Sequence, residues 1–204
     1  MLGDGAGLVA TCTVAAATRD QLDLDVVQIR EEPRPQPRVV VVQALPKSDR
    51  GERAVETMTE VGVDVIVPWA ASRCIAQWRG ERGVKALSKW RSTAREAAKQ
   101  ARRAWLPEIA ALATTPQVTE RIARAAAAVV LHGESAVPIR ELALPATGEL
   151  VLVVGPEGGL APDELSAFTA AGARGLRLGP TVLRTSTAGT VAAAALLSRT
   201  QRWR

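Results

Sequence analysis

Leu150-Val151-Leu152-Val153-Val154-Gly155-Pro156-Glu157-Gly158-Gly159 is the stretch that decides how this chain folds. Five consecutive apolar residues, three of them β-branched, read as a strand covered on both faces, as the central strands of a parallel sheet are. Gly155 and Pro156 end it, and Pro162, Asp163 and Glu164 then fill the first turn of a helix predicted to reach Ala171. Glycines between the carboxyl end of a strand and a helix let a ligand approach the backbone closely. The same spacing also fits a plain tight strand-to-helix turn.

Outward from this unit the pattern repeats. Val39–Val42 is a second β-branched run, followed by a helical pattern from Asp49 to Glu60 that Gly62 ends. Val63–Val67 reads as a strand stopped by Pro68, and Lys85–Trp105 as a long helix stopped by Pro107. Ala127–Leu131 and Leu176–Leu178 are further strands, and Ser186–Arg199 is a last helix rich in small residues. Strands alternating with helices predict an α/β domain with a mostly parallel sheet. Two more strand ends then resemble the first: Leu131-His132-Gly133-Glu134, and Leu178-Gly179-Pro180 leading through Val182-Leu183-Arg184 to Thr185-Ser186-Thr187. Three such ends predict a ligand crevice at the carboxyl edge of the sheet. His132 fits a core or loop histidine as well as a ligand contact. Glu157 fits an exposed or capping role as well as catalysis, and Arg184 a structural ion pair as well as substrate handling.

Upstream of Val39 the character is different. Residues 8–14 alternate, with Ala10, Cys12 and Val14 on one side and Thr11 and Thr13 on the other; Leu22, Leu24 and Val26 alternate with Asp23 and Asp25. This predicts two strands, hairpin-like, joined through Thr18–Asp20. Pro33, Pro35 and Pro37 then stiffen a linker.

Composition removes several function classes. With 204 residues and 47% hydrophobic content the chain can bury a substantial core, but only 3% is aromatic, so Ala, Val and Leu must build it. No apolar run approaches the length that spans a bilayer. The start lacks a basic region and carries Asp4, which predicts a cytoplasmic protein. Cys12 and Cys74 stand far apart with His132 as the one histidine, so neither a zinc site, another metal site nor a Ser/His hydrolase is expected. There is no GxxxxGK[ST] and no GxGxxG, which disfavours P-loop nucleotide hydrolysis and dinucleotide chemistry.

The net charge is +5, and only four of the 26 basic residues are Lys. Arginine forks suit phosphate, so the balance leans toward a polyanionic partner. On a helical wheel, Lys85, Lys89, Arg91, Arg95, Lys99, Arg102 and Arg103 share roughly 160° of arc, opposite Leu87, Trp90, Ala94, Ala98 and Trp105. A solvated face would explain this; so would an RNA-binding surface.

With these residues in view, the chain resembles the RsmE family of 16S rRNA uridine-N3 methyltransferases in the SPOUT superfamily. The matching stretches are Ala44–Arg50, Thr59–Gly62, Ser72–Cys74, Val153–Leu160 and Leu178–Thr185, in order along residues 38–204. The resemblance implies an α/β fold with a SPOUT-type parallel sheet and a C-terminal deep trefoil knot, at residues 38–204. It implies a partial, PUA-like β-barrel ahead of it, with residues 1–33 as its remnant, short of the strands that would close it. It also implies a homodimer acting on 16S rRNA of the small ribosomal subunit, at the family target uracil 1498. S-adenosyl-L-methionine would be held by Leu131, His132, Gly133 and Glu134, by Gly155, Pro156, Glu157, Gly158 and Gly159, and by Leu178, Gly179, Val182, Leu183 and Arg184. Arg184, Glu157 and Thr187 would be catalytic, and Arg73, Lys89, Arg95, Lys99, Arg102 and Arg103 would bind RNA.

Two positions depart from the family's pattern. Ser186 stands where a Glu is usual, and Lys99-Gln100-Ala101-Arg102-Arg103 keeps only Gln100 and Arg103 of the usual Glu-Gln-Ser-Gly-Arg. A SPOUT methyltransferase with another RNA target, and a plain RNA-binding module without a cofactor crevice, are the alternative readings.

Overall fold

The computed structural model describes residues 1–203. Its larger part is a six-stranded, wholly parallel sheet built around β4 (Arg38–Ala44). β4 is flanked by β5 (Val65–Trp69) and β8 (Glu149–Val154). Beyond β5 lies the short β6 (Glu108–Ile109); beyond β8 lie β7 (Ala127–Leu131) and β9 (Arg174–Leu176).

Both faces of β4 are covered, which is why its sequence does not alternate. Val39 and Val41 point into a core shared with α1 (Arg50–Glu60), α2 (Gly80–Gln100) and α5 (Thr185–Leu197). Val40, Val42 and Ala44 point into the opposite core, with α3 (Thr115–Arg124) and α4 (Pro162–Ala170). Trp69 and Phe168 meet edge-to-face at 5.3 Å in that second core, and Trp78 and Trp90 do so at 4.9 Å in the first. With so few aromatics, these pairs fill volume that the Val- and Ala-rich elements leave.

Four expectations from the sequence need correction. Pro68 does not stop β5. Its carbonyl accepts from Ala113 on the side away from β4, so the missing N–H falls where β6 has already ended and no bond to β4 is lost. The helix expected over Lys85–Trp105 begins at Gly80 and ends at Gln100. Arg102 there takes a left-handed φ of 54°, with Arg102 N–H bonded to the Lys99 carbonyl and Arg103 N–H to that of Ala98, a Schellman ending. The third strand end lies at Leu176, so Leu178 is already in the loop. The helix α3, opened by Thr114 N–H on Gln117 Oε1, and the strand β6 are additions to the pattern expected from the sequence.

The N-terminal strands form their own antiparallel sheet, β1 (Leu2–Gly3), β2 (Leu8–Ala17) and β3 (Leu22–Glu31), with the expected turn between the last two. The sheet is docked through Trp105. Its indole N–H donates to the Glu32 carbonyl at 2.9 Å, the Arg34 guanidinium lies 4.7 Å above its ring, and Gly7 packs so closely that a Cβ there would come within 2.7 Å of it.

Candidate active site

β8, β7 and β9 are neighbours in one parallel sheet, so their carboxyl ends share an edge. The loops after them are the three glycine-bearing segments. The His132 N–H donates to the Leu176 carbonyl at 3.0 Å, which seats the loop after β7 against the end of β9. Ser135 Oγ donates to the Gly175 carbonyl at 2.6 Å and reinforces the contact. A Cβ built at Gly133, Gly159 or Gly179 meets nothing within 4 Å, so all three border open space. Gly159 also needs its φ of 70°, which residues bearing a Cβ rarely adopt. Leu131, Leu178 and Leu183 are half-buried beside them and give the edge an apolar element.

The Gly155–Gly159 loop is held from two directions. Arg73 Nη1 donates to the carbonyls of Gly158 and Leu160, both at 3.2 Å. Glu157 Oε1 accepts the Lys47 N–H at 3.2 Å, which links the loop to the chain leaving β4. Behind Arg73, the buried Glu164 carboxylate accepts N–H groups from Ser72 at 2.8 Å and Ala161 at 3.0 Å. Next to Arg73, burial pushes the Cys74 thiol above its usual pKa, only partly offset by the Ala71 and Leu45 backbone groups.

Arg184 is exposed immediately ahead of α5, in extended conformation, and no carboxylate pairs with it among the described residues. Of the two roles open to Arg184, the ion pair is therefore not made. Its carbonyl accepts from Thr187 and Ala188 N–H, and the Thr187 side chain is exposed on the same turn. Glu157, Arg184 and Thr187 thus all stand at this edge of the sheet.

A model of the RNA methyltransferase domain matches residues 32–197. The ribosomal RNA small subunit methyltransferase E of Mycobacterium bovis is 49% identical over 100% of this chain and 79% of its own length. The chain belongs to the ribosomal RNA small subunit methyltransferase E family. The Bacillus subtilis methyltransferase E is 29% identical over 96% of this chain and 79% of its own. Among solved structures, a Legionella pneumophila methyltransferase in complex with bound cofactor SAM aligns with a TM-score of 0.85 and 26% identity. That match covers 97% of this chain and 81% of the other. The methyltransferase E of Neisseria gonorrhoeae, solved with S-adenosyl methionine, shares the fold at a TM-score of 0.83 and 23% identity, over 97% and 81% of the two chains.

In this methyltransferase E chain the six residues assigned to RNA do not form one surface. Lys89, Arg95, Lys99 and Arg102 are exposed, with Lys89 3.1 Å from Glu52 and Lys99 2.8 Å from Glu96. Arg95, Lys99, Arg102 and part of Arg103 line a cleft of about 660 Å³ between the end of α2 and Met1–Gly5, which Asp4 also borders. Arg73, also exposed, turns its Nη1 to the glycine loop. Arg103 is turned inward: past the Schellman ending its guanidinium donates to the carbonyls of Thr59 and Val63 at 2.9 and 2.6 Å and lies 3.4 Å from Asp64. Burial pulls its pKa below the usual guanidinium value, and Asp64 opposes that shift. A continuous helix would put Arg103 on the solvent side, and Arg73 has no partner near it in sequence; hence both fit an RNA surface until the fold is seen. The groups that hold the glycine loop, Arg73 and Glu164, carry little local signal of that role.

Proposed function

We propose that this chain transfers the methyl group of S-adenosyl-L-methionine to N3 of a uracil in 16S rRNA, uracil 1498, on the assembled small subunit. What supports this most is the grouping of Gly133, Gly159 and Gly179, all bordering open space, at neighbouring strand ends beside an arginine free of carboxylate partners among the described residues. The backbone of residues 131–134, 155–159 and 178–183 fits an extended ligand with both polar and apolar parts, because it combines unhindered glycines with half-buried leucines. S-adenosylmethionine, when bound, supplies an electrophilic methyl on sulfur.

The remaining chemistry belongs to the chain. Uracil N3 must lose a proton as the new bond forms, and negative charge builds on the two flanking carbonyl oxygens. Arg184 offers forked N–H donors to those oxygens. The amino end of α5 adds the positive end of its dipole beside them. Glu157 has Oε1 engaged by Lys47 N–H, which orients its carboxylate; with the Thr187 hydroxyl it would align the base or take up the proton. The base must be unpaired or extruded to reach the edge. Arg95, Lys99 and Arg102 would grip phosphate in the cleft beside the N-terminal strands, without base preference.

The same reading includes the family's deep trefoil knot in the loops after β7 and β9, a PUA-like role for the N-terminal sheet, a cytoplasmic homodimer that completes the site, and no metal. It is tested by the modified-base profile of small-subunit rRNA from a strain lacking the gene. N3-methyluracil should be lost, and should return with the wild-type gene but not with Arg184→Ala. A profile unchanged by the deletion would overturn it.

A further inference from the structure

Gln43 is fully buried in the middle of the sheet, the one uncharged polar side chain on β4, between two apolar cores. Its Nε2 donates to the Ala44 carbonyl at 3.0 Å and, across 142 residues of sequence, to the Thr185 carbonyl at 3.2 Å. Both partners are acceptors, which fixes the orientation of the amide. Its Oε1 has no partner among the described residues. A buried acceptor left unpaired costs stability that an apolar residue of the same size would not. The unpaired Oε1 thus offsets part of what the two Nε2 hydrogen bonds contribute.

What the amide uniquely does is reach the residue that follows Arg184. Helix α5 passes close over β4 at this level: a Cβ at Gly189 would lie 2.9 Å from Met58 Sδ and 3.3 Å from Gln43 Oε1. Thr190 Oγ1 meets Thr57 Oγ1 of α1 at 2.7 Å one residue further on. Four residues beyond Gln43, the Lys47 N–H meets Glu157. β4 and the chain leaving it thereby contact both halves of the edge, the Arg184 turn through Gln43 and the glycine loop through Lys47.

We propose that Gln43 is a positioning residue for methyl transfer, holding the first turn of α5 so that Arg184 keeps its place relative to the Gly155–Gly159 loop. The inference rests on the reading of Arg184 given above. Its test compares Gln43→Leu, Gln43→Met, Gln43→Glu and Arg184→Ala in the full chain. Three things are measured: S-adenosylmethionine affinity by calorimetry, kcat and KM on unmethylated small-subunit particles, and thermal melting.

Gln43→Leu and Gln43→Met should keep cofactor affinity and KM within about twofold and lose at least about tenfold in kcat, since misplacement acts on the chemical step. Gln43→Glu should show a kcat that, relative to wild type at each pH, rises as pH falls. A protonated carboxyl can donate to the Thr185 carbonyl, whereas a carboxylate can only repel it. Wild-type kcat in either apolar variant would overturn the proposal. So would a pH-independent ratio for Gln43→Glu, a loss shared equally by cofactor affinity, or a failure of both apolar variants to fold. If Arg184→Ala loses activity while the Gln43 variants do not, this inference alone falls; if Arg184→Ala is fully active, the reading of Arg184 falls and takes this inference with it.

Discussion

Arg73 shows that one side chain can do more than its charge suggests. Exposed and basic, it fits a phosphate contact, yet its guanidinium is committed to two carbonyls of the loop it encloses. Charge-assisted hydrogen bonds of this kind contribute roughly 1.5–3 kcal/mol each when well formed, and less where solvent reaches them. Arg73→Ala should therefore weaken S-adenosylmethionine binding by about tenfold in calorimetry. Its effect on the salt dependence of RNA binding should be smaller than that of a full phosphate contact, because Nη1 already holds the loop. Gly158→Val reaches the same loop from the other side, since a Cβ at Gly158 would lie 3.3 Å from that of Arg73. It should weaken cofactor binding likewise.

Two further residues carry predictions. Ser48 has a φ of 62°, a conformation costing a non-glycine residue roughly 1–2 kcal/mol. Ser48→Gly removes that strain at a smaller cost in unfolded-chain entropy, so it should raise the melting temperature by about 2 °C. The Cys74 pKa is raised by burial, so less thiolate is present at neutral pH than on a free cysteine. Alkylation of Cys74 should be slow at neutral pH, accelerate in strong alkali, and speed up at any pH once the chain is unfolded.

At the scale of elements, what could be read from the sequence follows from where a signal is local. Helices α1 and α4 end at Gly62 and Gly172, both with positive φ and both visible as glycines. Helix α2 ends in the same hydrogen-bond pattern with Arg102 in the glycine's place, and nothing in the composition marks it. The strands β4, β7 and β8 are legible because burial on both faces demands an unbroken apolar run. Helix α3 escapes a reading led by apolar runs, although Thr114, Pro116 and Gln117 form a recognisable start. The three glycine-bearing loops are legible for the same local reason, glycines after apolar runs. The groups supporting them are not, since Arg73 and Gly158 are 85 residues apart and Gln43 and Thr185 are 142 apart.

The break in α2 separates two arginines that a wheel places together. Replacing Arg95, Lys99 and Arg102 by Ala should reduce the salt slope of RNA binding by about 2 to 3 units, at roughly 0.7–0.9 for each phosphate no longer neutralised. Cofactor affinity should not change. Arg103→Ala should do the opposite. It strips donors from two buried carbonyls and one of two arginines from Asp64, and should destabilise the fold by about 1–3 kcal/mol in denaturant unfolding while the slope stays put.

Over the whole molecule, Asp64 gathers segments distant in sequence. Its carboxylate accepts from Arg202 near the carboxyl terminus at 2.6 and 3.1 Å, from Arg103, and from the Val39 N–H at 2.8 Å, so the start of β4 and the last turn are tied together. The N-terminal sheet is attached around Trp105, with Gly7 N–H on the Ala104 carbonyl at 3.1 Å and Leu106 N–H on that of Gly5 at 2.9 Å. Its outward side leaves Leu8, Val14, Leu22, Val26, Val27 and Ile29 largely exposed. Trp105→Ala should therefore loosen that sheet selectively. Limited proteolysis should cut within residues 31–37 much faster, while the cofactor affinity of the α/β domain stays near wild type.

The place of β4 between β5 and β8 has a consequence during synthesis. β5 is complete by residue 69, but the strand that pairs with the other side of β4 does not begin until residue 149. At a ribosomal pace of about 5–20 residues per second, the Val39–Val42 edge waits several seconds for its neighbour. Until β8 emerges, the nascent chain offers an open, apolar, hydrogen-bond-hungry border to whatever else is in the cell. A chain built this way should fold late and slowly, its two central strands meeting only after three-quarters of the chain has been made.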